Sequence, residues 1–244
     1  QGLKGIIDAV NKSKYTQTRS VKIESLVKWL KDHDVINEIF GIKGHYQLVQ
    51  RAAEIIRLFA NENEISASEL QEVWNASQKN DEDMKHSVYK ILADVSTNLK
   101  SEHLEFLVDK IAEIPPNKLF KEEVDLLHEL TKYPLRAGNA TNRACELLWM
   151  ILLDEEKYLD PVKDLALENF CSLMKSWDLR KNRIPVMVQC VEKIRENKAV
   201  IQSIQIIKKL LANFFVYSTP TEPTSRGTIV DMLIKEHEIL VAFF

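Results

Sequence analysis

Three groups of residues in this chain have side chains that could do chemistry. His128-Glu129-Leu130-Thr131-Lys132 begins like the HExxH pattern, in which two histidines one helical turn apart hold zinc and the glutamate acts as base. The second ligand position holds Lys132, a cation that repels a metal ion, so the pattern fails as a metal site. The second group is the thiols Cys145, Cys171 and Cys190. A thiolate nucleophile needs a neighbouring base and an exposed, electropositive setting, whereas each of these cysteines lies in an apolar run. Gly138 to Cys145 has a faint likeness to a cysteine-nucleophile loop, but it leads straight into Glu146-Leu147-Leu148-Trp149 on an apolar helix face. The reading is three buried, reduced thiols and no catalytic residue. The third group is Lys175-Ser176-Trp177-Asp178-Leu179-Arg180-Lys181-Asn182-Arg183, an inter-helix segment combining an aromatic ring with cations. That composition suits a hot spot for an acidic protein partner, so Trp177, Arg180, Lys181 and Arg183 are the candidate partner-binding residues. The plainer alternative is a tryptophan tucked under the next helix with solvated cations around it.

The remaining chemistry is thin. His33, His45, His86, His103, His128 and His237 are dispersed, with no i, i+4 pair and no cysteine at ligand spacing, so no metal is expected. No glycine-rich phosphate loop occurs, and no cofactor is expected. The acidic runs Asp81-Glu82-Asp83 and Asp154-Glu155-Glu156 fall at predicted helix ends, where solvated or capping roles account for them.

The elements that position these residues read as helices throughout. The chain has 244 residues, of which 45% are hydrophobic and 28% charged, a globular balance, while six glycines and seven prolines are few for a β-rich fold. A net charge of −3 gives no general attraction to nucleic acid or acidic membranes. No apolar run approaches the ~20 residues that cross a bilayer. The odd number of cysteines, spaced far apart, suits a reducing compartment, cytoplasmic with the nucleus as a second location. The chain starts at Gln1 and stops on the apolar Val241-Ala242-Phe243-Phe244, so it reads as an excerpt from a longer polypeptide.

Apolar residues recur at i, i+3, i+4 and i+7, as in Val88, Ile91, Leu92, Val95 and Leu99, then Ile184, Val188 and Val191, then Val200, Ile204, Ile207 and Leu211. This periodicity predicts helices near 20–33, 44–61, 66–77, 82–98, 101–113, 119–133, 140–155, 160–176, 184–196, 198–216 and 226–244. Ser66-Ala67-Ser68-Glu69 is a capping box, and Trp29, Trp74 and Trp149 sit on predicted core faces. Helix starts about twenty residues apart make a pair repeating at about forty, the armadillo/HEAT range. The expected fold is therefore an all-α, armadillo/HEAT-like α-solenoid of stacked antiparallel helix pairs, a single domain over 1–244 with a mobile loop at 217–227. A compact bundle is the competing arrangement.

Lys28-Trp29-Leu30-Lys31, then Leu70-Gln71-Glu72-Val73-Trp74-Asn75-Ala76, then Glu146-Leu147-Leu148-Trp149 and Asp164-Leu165-Ala166-Leu167 give a succession over 20–215 that resembles a known family. It resembles the N-terminal helical-repeat region of the giant fat-facets-type ubiquitin-specific proteases. In that family a papain-like domain elsewhere in the chain carries the catalysis, and the loop before Cys145 lacks its Gly-x-Thr/Ser-Cys ending, so no catalytic residue transfers. The resemblance implies a non-catalytic scaffold arm that recruits ubiquitinated substrates or regulators for the rest of the parent chain. The alternative is an independent α-solenoid adaptor, importin-like or RNA-binding, against whose RNA branch the acidic balance counts.

Overall fold

A computed structural model of the chain describes residues 23–41, 46–79, 81–155, 157–176, 178–214 and 224–235, together with Gly5 and Asp8. Among them the only regular structure is helical, as the 3.6-residue apolar spacing dictates. The helices are α1 (Ile23–Asp32), α2 (Val35–Phe40), α3 (Tyr46–Asn61), α4 (Ala67–Ser77), α5 (Glu82–Val95), α6 (Ser101–Ala112), α7 (Lys121–Thr131), α8 (Pro134–Ala137), α9 (Asn139–Leu153), α10 (Asp160–Leu173), α11 (Arg183–Arg195), α12 (Val200–Ala212) and α13 (Arg226–Lys235). Single 3-10 turns cover Ser96–Asn98, Pro116–Lys118 and Arg180–Asn182. No described helix is long and apolar enough to cross a membrane. The chain divides into two units, Gln1–Asp109 and Lys110–Phe244.

In the first unit α1 packs on α2, α2 on α3 and α4, and α3 and α4 on α5. The seams are apolar: Leu30, Phe40, Ile55, Ile56, Phe59, Leu70, Val73 and Leu92 are all at most 1% exposed. Each such side chain contributes roughly 1.5–3 kcal/mol of burial. The capping box forms as the sequence demands. Ser66 Oγ accepts from the Glu69 amide at 3.3 Å, and Glu69 accepts from the Ser66 amide at 2.7 Å. Asp81 caps α5 by accepting from the Met84 amide at 3.0 Å. Lys79 reaches back to donate to the carbonyls of Phe40 and Gly41, satisfying the C-terminal end of α2.

In the second unit α7 packs on α8, α9 and α10, α9 on α10 and α12, α10 on α12, α11 on α12, and α12 on α13. Asn169 of α10 donates to the Val124 carbonyl of α7 at 3.1 Å, a buried polar tie across that seam. The Glu155 carboxylate accepts from the Ala199 amide, so a residue 44 positions away caps α12. Lys163, 7% exposed, donates to the Glu155 carbonyl at 3.1 Å and fixes the same turn. Arg226 closes the other end of α12, donating to the Leu211, Ala212 and Phe214 carbonyls at 2.9, 3.2 and 3.0 Å.

Several expectations change. The six-residue helix α2 falls between the predicted helices, because it is too short to show a period. Trp29 is not core: it is 43% exposed and stacks on His33 with ring centroids 4.3 Å apart. Trp149 is half-buried, tilted against Phe170. On α11 the buried face runs through Met187, Cys190, Val191 and Ile194 instead of Ile184 and Val188. On α12 it runs through Ser203, Ile206, Ile207 and Leu210, which turns Ile204 to solvent. Of the predicted loop, 217–223 lies outside the described residues, and Arg226 and Gly227 already belong to α13. The last residues of the predicted 226–244 helix, 236–244, also lie outside them.

Candidate protein-interaction surface

The basic segment predicted to meet a partner is divided by its own packing. Arg183 opens α11 and is 4% exposed. Its Nε donates to the Met174 carbonyl at 2.7 Å, and its guanidinium lies 5.3 Å from the centroid of the Phe214 ring. A buried arginine that caps α10 and stacks on an aromatic ring is committed internally, so Arg183 leaves the set of partner-facing residues. Lys181 and Lys175 are exposed and Arg180 is half-buried in the 3-10 turn. Trp177 lies outside the described residues.

The thiols are shut away. Burial pushes Cys145 up to about 12, with the nearby Glu146 adding to it. Burial likewise pushes Cys190 up to about 12 and Cys171 to about 11. A thiol held at such values carries almost no thiolate at neutral pH, the opposite of the setting a nucleophilic cysteine needs. His128 stands on α7 beside a Glu129–Lys132 ion pair of 3.4 Å, so the lysine in the would-be ligand position is engaged by the would-be base. Among the described residues no group of three or more histidine, cysteine or carboxylate side chains could hold a metal ion.

A second surface was not visible in the sequence. An open groove of about 750 Å³ runs between α7, α10 and α12, lined by Lys121 and Asp125 from α7, Asp164 and Glu168 from α10, and Lys208 and Lys209 from α12, together with Pro161, Leu165 and Leu167. Lys209 donates to Glu168 across the groove. Burial raises the Asp125 carboxyl above the usual carboxylate range, and the Glu122 charge adds to the shift. On α12 Ile201 and Ile204 are 67% and 39% exposed, and Leu159, just before α10, is 59% exposed. One sequence signal pointed this way. α12 carries apolar residues at 200, 201, 204, 206, 207, 210 and 211, more than one buried stripe requires.

The described residues form packed helices with an open groove between α7, α10 and α12. A model of the UBP24/USP9X/USP9Y ARM repeat matches residues 2–243. The chain belongs to the UBP24/USP9X/USP9Y ARM repeat family. Relatives of this ARM repeat chain include the mouse (Mus musculus) ubiquitin carboxyl-terminal hydrolase 9Y, 23% identical over 199 residues, and the mouse 9X protein, 22% identical over 198. These alignments cover 79% and 78% of this chain but 8% of each relative. The Drosophila melanogaster ubiquitin carboxyl-terminal hydrolase puf is 23% identical over 112 residues, 45% of this chain and 3% of that protein. The ARM repeat chain thus spans a small fraction of the length of the proteins it resembles. Membership accounts for the all-α, armadillo/HEAT-like α-solenoid class, because repeats of this kind bury their apolar stripes only against neighbouring repeats.

Proposed function

We propose that this chain is a non-catalytic protein-interaction arm of a large deubiquitinating enzyme, recruiting ubiquitinated substrates or regulators for ubiquitin removal by a cysteine-protease domain elsewhere in the parent chain. The observation that carries the reading is the family match over 2–243, in a chain that amounts to 8% of relatives named as ubiquitin carboxyl-terminal hydrolases. The three buried, high-pKa thiols support a non-catalytic role for this segment. They also suit a reducing compartment, the cytoplasm and secondarily the nucleus. Exposed Lys175 and Lys181, with Arg180 beside them, remain the basic patch proposed for an acidic partner segment.

The test uses a ubiquitin probe carrying a cysteine-reactive C-terminal warhead. The 244-residue chain stays unlabelled, while the parent protein is labelled outside this segment. Deleting the segment from the parent leaves cleavage of a small ubiquitin ester intact and slows cleavage of ubiquitin from protein substrates. Labelling of Cys145, Cys171 or Cys190, or unchanged turnover of every protein substrate after deletion, overturns the reading.

A further inference from the structure

The groove between α7, α10 and α12 keeps open charge of both signs. One pair across it is closed, with Lys209 donating to Glu168. Asp125 of α7, Asp164 of α10 and Lys208 of α12 line the same groove and reach solvent, and among the described residues none of the three side chains is in an ion pair or hydrogen bond. Lys121, the first residue of α7, adds a cation at that helix's end, one turn from Asp125. Desolvation and the Glu122 charge nevertheless hold the Asp125 carboxyl above the usual carboxylate range, so a further cation beside it is favoured. α10 packs on both α7 and α12 and stands between them. Crossing the groove from α7 through α10 to α12, the charges of Asp125, Asp164 and Lys208 therefore run negative, negative, positive. A segment of uniform charge would set at least one like charge against this order, which is unfavourable.

The dimensions choose the form of the occupant. Axes of packed helices lie about 8–10 Å apart, so a path from α7 over α10 to α12 covers roughly 16–20 Å. An α-helix roughly 10–12 Å across would fill the groove volume with about 8 Å of its length, no more than about half of that path. A polyproline-II segment rises about 3.1 Å per residue and turns once in about three, so side chains on one face recur every ~9.3 Å, the spacing of the helices themselves. We propose that the groove docks an extended segment of a protein partner carrying two basic residues three positions apart and an acidic residue three positions further on, which meet Asp125, Asp164 and Lys208 in turn. The inference rests on the interaction-arm reading and names a partner segment for it, at a site whose charge order differs from that of the basic patch at Lys175 and Lys181.

The experiment selects random short peptides displayed on phage against the 244-residue chain, then measures the tightest one by fluorescence anisotropy. Selected peptides are expected to carry basic, basic and acidic residues at intervals of three, in either chain direction. Asp164→Lys weakens binding about tenfold, because an attraction becomes a repulsion, and a peptide whose middle basic residue is replaced by glutamate regains affinity for that variant. Lys208→Glu turns the selection toward peptides with a basic residue in the third place. Both side chains are exposed, so melting temperatures stay at the wild-type value; should Asp164→Lys melt lower, Lys208→Glu decides. An empty selection, peptides without this charge order, wild-type affinity in both variants, or a loss that the charge-exchanged peptide does not recover each overturn the inference. If any of these occurs while deletion of the segment from the parent still slows cleavage of protein substrates, only the groove falls; if deletion slows none, the interaction-arm reading falls with it.

Discussion

Trp29 and Trp74 are the same residue on predicted apolar stripes, and their surroundings give them different weights. Trp74 is 4% exposed and its ring lies 5.8 Å from that of Tyr89, so removing it leaves a cavity in the α4–α5 seam. Trp74→Ala is expected to cost about 3–5 kcal/mol, and Trp29→Ala, at an exposed stack, less than about 1 kcal/mol. Urea denaturation of the two variants checks the contrast. His103 carries a different liability. It is 6% exposed with its Nδ1 buried and unbonded, and burial, assisted by Lys100 and opposed by Glu102, holds its pKa below the usual 6.5. The unfolded chain therefore binds a proton that the folded chain resists. Stability from this group is complete above about 6.5 and is lost as the pH falls from there toward the lowered folded value. His103→Leu should flatten the change in urea midpoint between pH 7.5 and pH 5.5 relative to wild type; an equal slope would show that other groups set it. In the candidate site the cations of 175–183 were legible as a basic cluster, but the burial of Arg183 was not. Its partners, the Met174 carbonyl and the Phe214 ring, come from other elements.

At the scale of elements, local signals were read and distant ones were not. The Ser66–Glu69 box spans four residues, so the sequence contains both halves of the interaction. The α12 cap joins Glu155 to Ala199, and only the packing of α10 on α12 brings them together. The same limit explains the rotated faces of α11 and α12. With aliphatic residues on more than one side of each helix, a 3.6-residue period fits two phases, and the neighbours decide which is buried. The exposed Ile201 and Ile204 follow from that undetermined phase. Gly138 shows how tightly a junction can be specified. It precedes α9 with φ 57° and ψ −124°, a region open to glycine and closed to other residues. Gly138→Ala is expected to cost about 1–3 kcal/mol, read as a lower urea midpoint with an unchanged slope; wild-type stability would mean the turn relaxes into an ordinary conformation.

At the scale of the whole chain, the division into repeats was legible because periodicity and helix-start spacing are themselves one-dimensional, and the fold is built that way. Within each unit the well-populated helix contacts join elements no more than three apart in chain order. Stability in such a stack is a sum of local and nearest-neighbour contributions, so damage should stay close to its source. The second unit offers a direct test at its end. α13 packs on α12, and Leu233 is 2% exposed in that helix. Leu233→Ala removes a buried side chain worth about 2–5 kcal/mol, yet α7 shares no major contact with α13. Native-state hydrogen exchange should therefore accelerate in α13 and α12 while α7 keeps its protection. A uniform rise in exchange from α7 to α13 would mean that the unit opens as one cooperative block and that its stability is not carried by neighbours alone.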